Sequence, residues 1–270
     1  MPFETPEILS THLVDGAAIS IERELPGRPL REFVSMDESS VAPFAEEALL
    51  TILSALANVE VSAPFPELPI LGVRLPPNGV ARSWNERIME VFGYKISKFG
   101  SQLRASIPDF DWIVERIILH MKQMPEPAPR VVHGDLTPEN ILLDDQGKVT
   151  ALLDWGLVTY LGDPAFDAST SADFFNMYGP NADAIGDHLM TRFAERLGYS
   201  LDRMLLYRAL TAILTSNAFS ADGSDGHYPW AVQLLKRQDL RRALASTWIA
   251  QLGLTQPLAR RAKTPKSIQT

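Results

Sequence analysis

The chain has 270 residues, of which 46% are hydrophobic and 21% charged, and its formal net charge is −8. This composition is typical of a globular protein with a sizeable core, and the lack of cysteine excludes disulfides and thiolate metal sites. The acidic balance argues against nucleic acid as a partner, because binding to phosphates needs basic side chains. The sequence shows neither a signal-peptide pattern nor an apolar run of membrane-spanning length, so we expect no membrane contact and a cytoplasmic protein.

The first predicted element is a β-hairpin. Two short apolar runs, at residues 8–14 and 17–21, flank an Asp-Gly pair, which is typical of two-residue hairpin turns. A polar loop at residues 22–27 follows. Residues 29–34 then begin like a helix, because proline is favoured in a first helical turn.

From residue 39 onward the chain is predicted to be mainly helical, because apolar residues recur at helical spacing. Ser39 or Ser40 is a candidate cap for the first long helix, and Asp167 for a later one. Residues 62–80 contain five prolines and predict a surface loop. The expected helices cover about residues 40–58, 83–94, 109–122, 167–177, 182–197, 200–218 and 229–247.

Residues 131–167 are the most informative stretch for function. A His-Gly-Asp sequence ending at Asp135 begins a loop, and Asn140 follows Asp135 by five residues. Two apolar runs around a turn containing Gly147 predict a second hairpin, with this glycine at positive φ. The hairpin leads to Asp154, nineteen residues after Asp135. We therefore expect Asp135, Asn140 and Asp154 to lie close together.

An Asp, an Asn and a second Asp in this arrangement suit phosphoryl transfer. That reaction depends mainly on positioning and on neutralising charge. One carboxylate must orient the acceptor hydroxyl and take its proton, while hard oxygen ligands hold Mg²⁺ against the phosphates. Protein kinases have the same order of catalytic Asp, Asn and metal-binding Asp.

Three segments resemble the aminoglycoside phosphotransferase and choline kinase family, the small-molecule branch of the protein-kinase-like fold. The HGD sequence at 133–135, with Asn140 after it, resembles the family's catalytic loop. The DWG sequence at 154–156 resembles its metal-binding segment, and GDPAFD at 162–167 resembles its G-D-P-x-x-D element. The short interval between the last two segments leaves no room for the activation segment of a protein kinase.

The resemblance implies an α+β, protein-kinase-like fold and transfer of a nucleotide γ-phosphate to a hydroxyl of a small molecule. It implies that Asp135 is the catalytic base, that Asn140 and Asp154 bind Mg²⁺, and that ATP or GTP is the donor. The acceptor class stays open between an aminoglycoside, a choline-like amine, a macrolide, an amino alcohol and a sugar. The residues expected to support the catalytic loop are His133, Asp163 and Asp167.

The resemblance also implies two binding regions. The segment Glu22-Arg23-Glu24 takes the place of the linker whose backbone bonds the adenine, and Leu142 and Leu153 are expected to pack below the base. In the family, the helices after the GDPAFD segment build the acceptor pocket. The candidate acceptor contacts there are Asp173, Tyr178, Asp222, Asp225 and Tyr228, although the two acidic loop residues are equally explained by solvation.

The region before the linker is shorter than the family's amino-terminal lobe, and the first lysine of the chain is Lys95. We therefore expect a hairpin remnant and hinge at 1–27, a carboxyl-terminal lobe at 28–250 and a flexible tail at 251–270. Three explanations remain open: a fragment of a longer chain, a lobe supplied by a partner chain or a second copy, and a family member without catalysis. The alternative to a phosphotransferase is thus a catalytically impaired or non-catalytic kinase-like binding protein.

Overall fold

The computed structural model describes residues 1–61, 69–73, 83–156 and 158–246. The predicted tail at 251–270 and most of the predicted loop at 62–80 lie outside these residues. The strands are β1 (Ile8–Val14), β2 (Ala17–Glu22), β3 (Arg28–Pro29), β4 (Arg130–Val132), β5 (Ile141–Leu143), β6 (Val149–Leu152) and β7 (Tyr160–Gly162). The helices are α1 (Pro43–Ala57), α2 (Trp84–Ser106), α3 (Phe110–Gln123), α4 (Pro164–Phe174), α5 (Ala182–Leu197), α6 (Leu201–Thr215), α7 (His227–Lys236) and α8 (Gln238–Ala245).

The described strands form three small antiparallel sheets. β1 pairs with β2, β4 pairs with β7, and the central sheet has the order β3-β5-β6. Glu4 extends the central sheet, because its N–H donates to the carbonyl of Thr150 (2.8 Å) and its carbonyl accepts from the N–H of Leu152 (3.0 Å). Phe3 beside it is buried in the core. The first residues of the chain therefore cover the outer edge of β6.

Two helices, α4 and α6, form the centre of the helical part. Nearly all residues of α4 are buried, as are all residues of α6 from Met204 onward. A helix that is buried around its whole circumference needs neighbours on every side. α6 contacts α2, α3, α4, α5, α7 and α8, and α4 contacts α1 and α5 as well. In the part of the chain that the structure describes, no helix is long and apolar enough to cross a membrane.

Both predicted hairpins are confirmed, and several helix boundaries differ from expectation. α1 begins at Pro43 after an extended Ala42, so neither Ser39 nor Ser40 caps it, and the proline in its first turn starts the helix instead. The helix expected at 29–34 is a single 3-10 turn, Leu30–Glu32, because the preceding residues pair with β5.

Two later helices were mispredicted in length. α2 continues past Gly93 to Ser106, because a glycine inside a helix costs only about 1 kcal/mol and its apolar face stays buried as far as Leu103. The helix expected at 229–247 is divided into α7 and α8 at Arg237, which has an extended backbone (φ −61°, ψ 137°). The Arg237 guanidinium forms ion pairs with Asp183, Asp187 and Asp239.

Asp167 was expected to cap α4, and this prediction is wrong. The helix begins at Pro164, and Asp163 is its N-cap, because the Asp163 carboxylate accepts from the N–H of Ala165 at 3.1 Å. Asp167 lies inside the first turn of α4, where its side chain faces a different part of the chain. The proline after Asp163 favours the earlier start.

Candidate active site

The β5–β6 hairpin brings the predicted catalytic residues together. Leu142 of β5 is paired with Ala151 of β6, and the N–H of Leu153 donates to the carbonyl of Asn140 at 2.8 Å. Asn140 and Asp154 therefore lie at the same end of this hairpin. Asp154 has a φ of +56°, which is uncommon for a residue other than glycine and occurs often at functional sites.

Asp135 and Asn140 are in direct contact. The amide nitrogen of Asn140 donates to the backbone carbonyl of Asp135 (2.9 Å) and to its carboxylate (3.1 Å). Burial raises the pKa of Asp135 to about 6, and the negative charges of Asp154 and Glu139 act in the same direction, while the Asn140 hydrogen bond opposes them. A carboxylate with this pKa suits a proton acceptor near neutral pH.

Asp167 supports the loop that carries Asp135. Its buried carboxylate accepts hydrogen bonds from the N–H of His133 (2.8 Å) and the N–H of Gly134 (2.7 Å). Burial raises the pKa of Asp167 to about 7, against the effect of these two bonds. Gly134 has a φ of +81°, and a Cβ there would lie 2.2 Å from the Cβ of Val158. The loop thus needs glycine at this position.

His133 is held between the catalytic loop and the hairpin. Its Nε2 is 2.8 Å from the carbonyl of Leu153, and its Nδ1 accepts from the N–H of Asp135 at 3.2 Å. These two bonds assign the neutral tautomer with the proton on Nε2. Burial lowers the pKa of His133 to about 4, although the Leu153 carbonyl and the Asp154 charge raise it. A ring that stays neutral in this way holds the loop in place.

The linker residues at 22–24 lie on the surface just before β3. Arg23 is exposed and forms an ion pair with Glu7 (2.8 Å). The linker then runs against the catalytic hairpin, because the Thr150 hydroxyl donates to the carbonyl of Pro26 (2.5 Å) and β3 pairs with β5. Leu142 of β5 is buried, and Leu153 after β6 is partly buried. The structure thus joins the linker to the hairpin that carries Asn140.

Asn140 and Asp154 offer side-chain oxygens of the kind that magnesium prefers. The Asn140 amide nitrogen bonds to Asp135, so its oxygen is the atom left for a ligand. Magnesium commonly takes one or two protein carboxylates together with substrate phosphates and water. No group of three or more His, Cys, Asp or Glu side chains forms a metal site within the described ranges.

Asp173 is placed differently from the other candidate acceptor residues. Its carboxylate is buried and forms an ion pair with the Arg208 guanidinium at 2.7 Å. Burial raises the pKa of Asp173 in spite of this arginine. Arg208 is also paired with Asp187 at 2.9 Å, so Asp173 belongs to an internal ion network that joins α4, α5 and α6.

The other four acceptor candidates lie in one region at the start of α7. The Asp225 carboxylate accepts from the backbone N–H groups of His227 (2.7 Å) and Tyr228 (3.3 Å). The Tyr178 hydroxyl is 2.8 Å from Nδ1 of His227. Asp222 lies in the same loop, where it is exposed and accepts from the N–H of Ser224.

Three aromatic residues of this region are not among the acceptor candidates that the sequence predicted. The ring of Phe219 is 73% exposed and lies 5.3 Å from the His227 ring, which in turn lies 4.7 Å from Trp230. The signal for them was the density of aromatic residues on both sides of the acidic loop.

The comparisons with known proteins identify the family and the fold. The model of the phosphotransferase enzyme family matches residues 3–207. No curated protein sequence matches the chain significantly. Among solved structures, a thermostable mutant of aminoglycoside phosphotransferase APH(4)-Ia with AMP-PNP and hygromycin B is similar, with 19% identity and a TM-score of 0.67 over 91% of this chain and 79% of that chain.

Two further structures have the same fold. One is the GDP and kanamycin complex of APH(2")-IIia, with 16% identity and a TM-score of 0.55 over 89% of this chain and 77% of that chain. The other is choline kinase LicA from Streptococcus pneumoniae, with 13% identity and a TM-score of 0.52 over 87% of this chain and 74% of that chain. The predicted α+β, protein-kinase-like fold is confirmed.

Proposed function

This chain belongs to the phosphotransferase enzyme family, and we propose that it transfers the γ-phosphate of a nucleotide to a hydroxyl of a small molecule, with Mg²⁺ as cofactor. The observation that carries the proposal is the contact between Asp135 and Asn140 at the end of the hairpin that leads to Asp154. Phosphoryl transfer needs these groups and little covalent help from the protein.

In the proposed reaction, the acceptor oxygen bonds to the γ-phosphorus while the bond from that phosphorus to the bridging oxygen breaks. The nucleoside diphosphate leaves, and the acceptor proton passes to the Asp135 carboxylate. Asn140 keeps this carboxylate oriented through its amide hydrogen bond. Asn140 and Asp154 would hold Mg²⁺, which neutralises phosphate charge when bound.

The donor would bind between the linker and the catalytic hairpin. We assign the backbone of Glu22, Arg23 and Glu24 to the edge of the base, and Leu142 and Leu153 to its face. The linker is anchored to the hairpin only at its end, through Pro26 and β3, and this anchoring supports the placement. Similar structures contain AMP-PNP in one case and GDP in another, so both ATP and GTP are candidate donors.

We assign the acceptor to the region around Tyr178, Asp222, Asp225 and Tyr228, and we add the exposed ring of Phe219. Exposed aromatic rings beside carboxylates suit an amine-bearing acceptor, because a cation is attracted both to a ring face and to negative charge. The net charge of −8 favours the same class. Structures with kanamycin or hygromycin B, and a choline kinase, are similar in fold.

One observation favours the second candidate, a kinase-like binding protein without transfer. Residues 1–22 contain neither lysine nor arginine, so this part of the chain offers no side chain of these two types to the phosphates. If a partner chain or a second copy supplies a lysine or arginine to the phosphates, the phosphotransferase function is favoured again. The exposed β1–β2 hairpin is available for such a contact.

Calorimetric titration with ATP, with and without Mg²⁺, tests the nucleotide site first. We expect binding that strengthens with Mg²⁺ and loses this dependence in Asp154→Ala, because one of its two protein ligands is removed. The Asp135→Asn variant should keep ATP binding. If the wild type binds no ATP under either condition, the non-catalytic candidate is favoured.

A screen of kanamycin, hygromycin B and choline as acceptors tests the transfer itself. The release of ADP or GDP is the measured quantity. Asp135→Asn should lower the rate by about 10²–10⁴-fold, the contribution of a positioned general base. Equal rates in the variant and the wild type would contradict the assignment of Asp135.

A further inference from the structure

Arg31 joins three segments that meet behind the candidate active site. It lies in the 3-10 turn that follows the linker and β3, and its backbone N–H donates to the carbonyl of Pro138 at 3.1 Å. Its Nε donates to the Glu139 carboxylate (2.8 Å), and its Nη2 donates to the carbonyl of Phe175 (2.9 Å), the C-cap of α4. One side chain thus contacts both the catalytic loop and a buried central helix.

Arg31 makes more contacts than a single surface ion pair. The Glu139 side chain is 57% exposed, but the Arg31 side chain is only 23% exposed and also donates to the Phe175 carbonyl. Leu30 beside it is fully buried, so the backbone of the turn is held by the core. The planar guanidinium uses two of its nitrogens in fixed directions, which a lysine cannot do. Charge-assisted bonds of this kind are stronger and more directional than neutral ones.

The position of Glu139 makes these contacts relevant to Asn140. On one side of Asn140, β5 is paired with β3; on the other side, Pro138 and Glu139 are bonded to Arg31. Both supports come from the chain segment that directly follows the linker. A movement of this segment would therefore move the amide group of Asn140 relative to Asp135.

We propose that Arg31 is a positioning residue, which holds Asn140 in place through Glu139 and couples the end of the linker to the catalytic loop. The inference rests on the proposed function, in which the linker contacts the nucleotide base and Asn140 holds its metal. Groups behind a metal ligand fix its orientation, and their loss commonly lowers metal affinity 10–100-fold.

The test compares Arg31→Met with Arg31→Lys, Glu139→Gln and the control Arg192→Met. Arg192 also donates from Nε to a glutamate oxygen at 2.8 Å, but its partner is Glu46 and the pair joins α5 to α1. Glu139→Gln weakens the same ion pair from the loop side, so it serves as the test if Arg31→Met does not fold. Lysine keeps the positive charge but cannot donate from two guanidinium nitrogens. Arg31→Lys should therefore reverse the effects of Arg31→Met only in part.

Amide hydrogen exchange gives a result that needs no ligand. The N–H of Asn140 donates to Thr137, and the N–H of Leu153 donates to Asn140, so both amides report on the loop. We expect roughly tenfold faster exchange at these amides in Arg31→Met and unchanged exchange in Arg192→Met. Equal exchange in the two variants would overturn the positioning role.

Titration with ADP, with and without Mg²⁺, then separates this proposal from the proposed function. Arg31→Met should bind ADP alone within about twofold of the wild type, and should lose roughly tenfold or more of any Mg²⁺-dependent gain. A variant that keeps the full gain contradicts the proposal. If the wild type shows no Mg²⁺-dependent binding, the proposed function fails, while hydrogen exchange still decides the role of Arg31.

Discussion

Two β-hairpins in the described part of the chain resemble each other locally and differ in their surroundings. Both turn through a glycine at positive φ, Gly16 (+82°) in the first and Gly147 (+78°) in the second. In β1–β2 nearly every residue is exposed, and its large apolar side chains are 46–78% exposed. In β5–β6, Thr150 is the one strand residue that is not buried.

The difference lies in what covers each hairpin. β5 pairs with β3 on its other side, and Glu4 bonds to the outer edge of β6. A hairpin without such neighbours is at best marginally stable in water. Burial of apolar side chains stabilises the β5–β6 hairpin. The candidate catalytic residues lie at the buried hairpin. The comparison teaches that a turn with a glycine at positive φ can occur either in a buried hairpin or in an exposed one.

Truncating one leucine in each hairpin should give the largest contrast in stability. Leu152 of β6 is fully buried, so Leu152→Ala should lower the free energy of unfolding by about 2–5 kcal/mol. Leu13 of β1 is 78% exposed, so Leu13→Ala should change it by less than about 0.5 kcal/mol. Urea unfolding measures both variants, and similar losses would show that β1–β2 is covered in solution.

A pH series on His133→Gln should sharpen the contrast further. The pKa of His133 is lowered to about 4 in the folded protein, so the unfolded chain takes up its proton first on acidification. The stability of the wild type relative to the variant should therefore fall by about 3 kcal/mol between pH 6.5 and pH 4. Glutamine takes up no proton in this pH range, and its side-chain amide can still donate to the Leu153 carbonyl.

The control for the pH series is His12→Gln, since His12 is exposed in β1. Urea unfolding at each pH, with both variants and the wild type, gives the comparison. A constant difference between His133→Gln and the wild type across this range would mean that His133 is not held as a buried neutral ring.

The smallest expected effect concerns the two turn glycines. Gly147→Ala should lower the free energy of unfolding by about 1–2 kcal/mol, because an L-residue disfavours the positive φ of this position. Gly16→Ala carries the same local strain, but β1–β2 can open without unfolding the core. We expect an unchanged urea midpoint for Gly16→Ala, and an equal loss in both variants would contradict the difference in coupling.

Local chemistry allowed much of the site to be predicted. Turn residues and alternating apolar runs predicted both hairpins, and the hairpin at 141–152 brings Asn140 and Asp154 to one end, as its length requires. Both hairpins depend on neighbours in the sequence, and local propensity describes such neighbours well. The protein-kinase-like fold was implied instead by the resemblance of three short segments to a known family.

The tertiary structure decided what depends on contacts between distant segments. The sequence does not show that Arg31 reaches Glu139 and Phe175, or that Asp173 is buried against Arg208. It likewise does not distinguish an Asp that caps α4 from one that bonds the backbone of a loop 33 residues earlier. Burial and long-range pairing set these outcomes, because the free energy of a charged side chain depends on which groups fold against it.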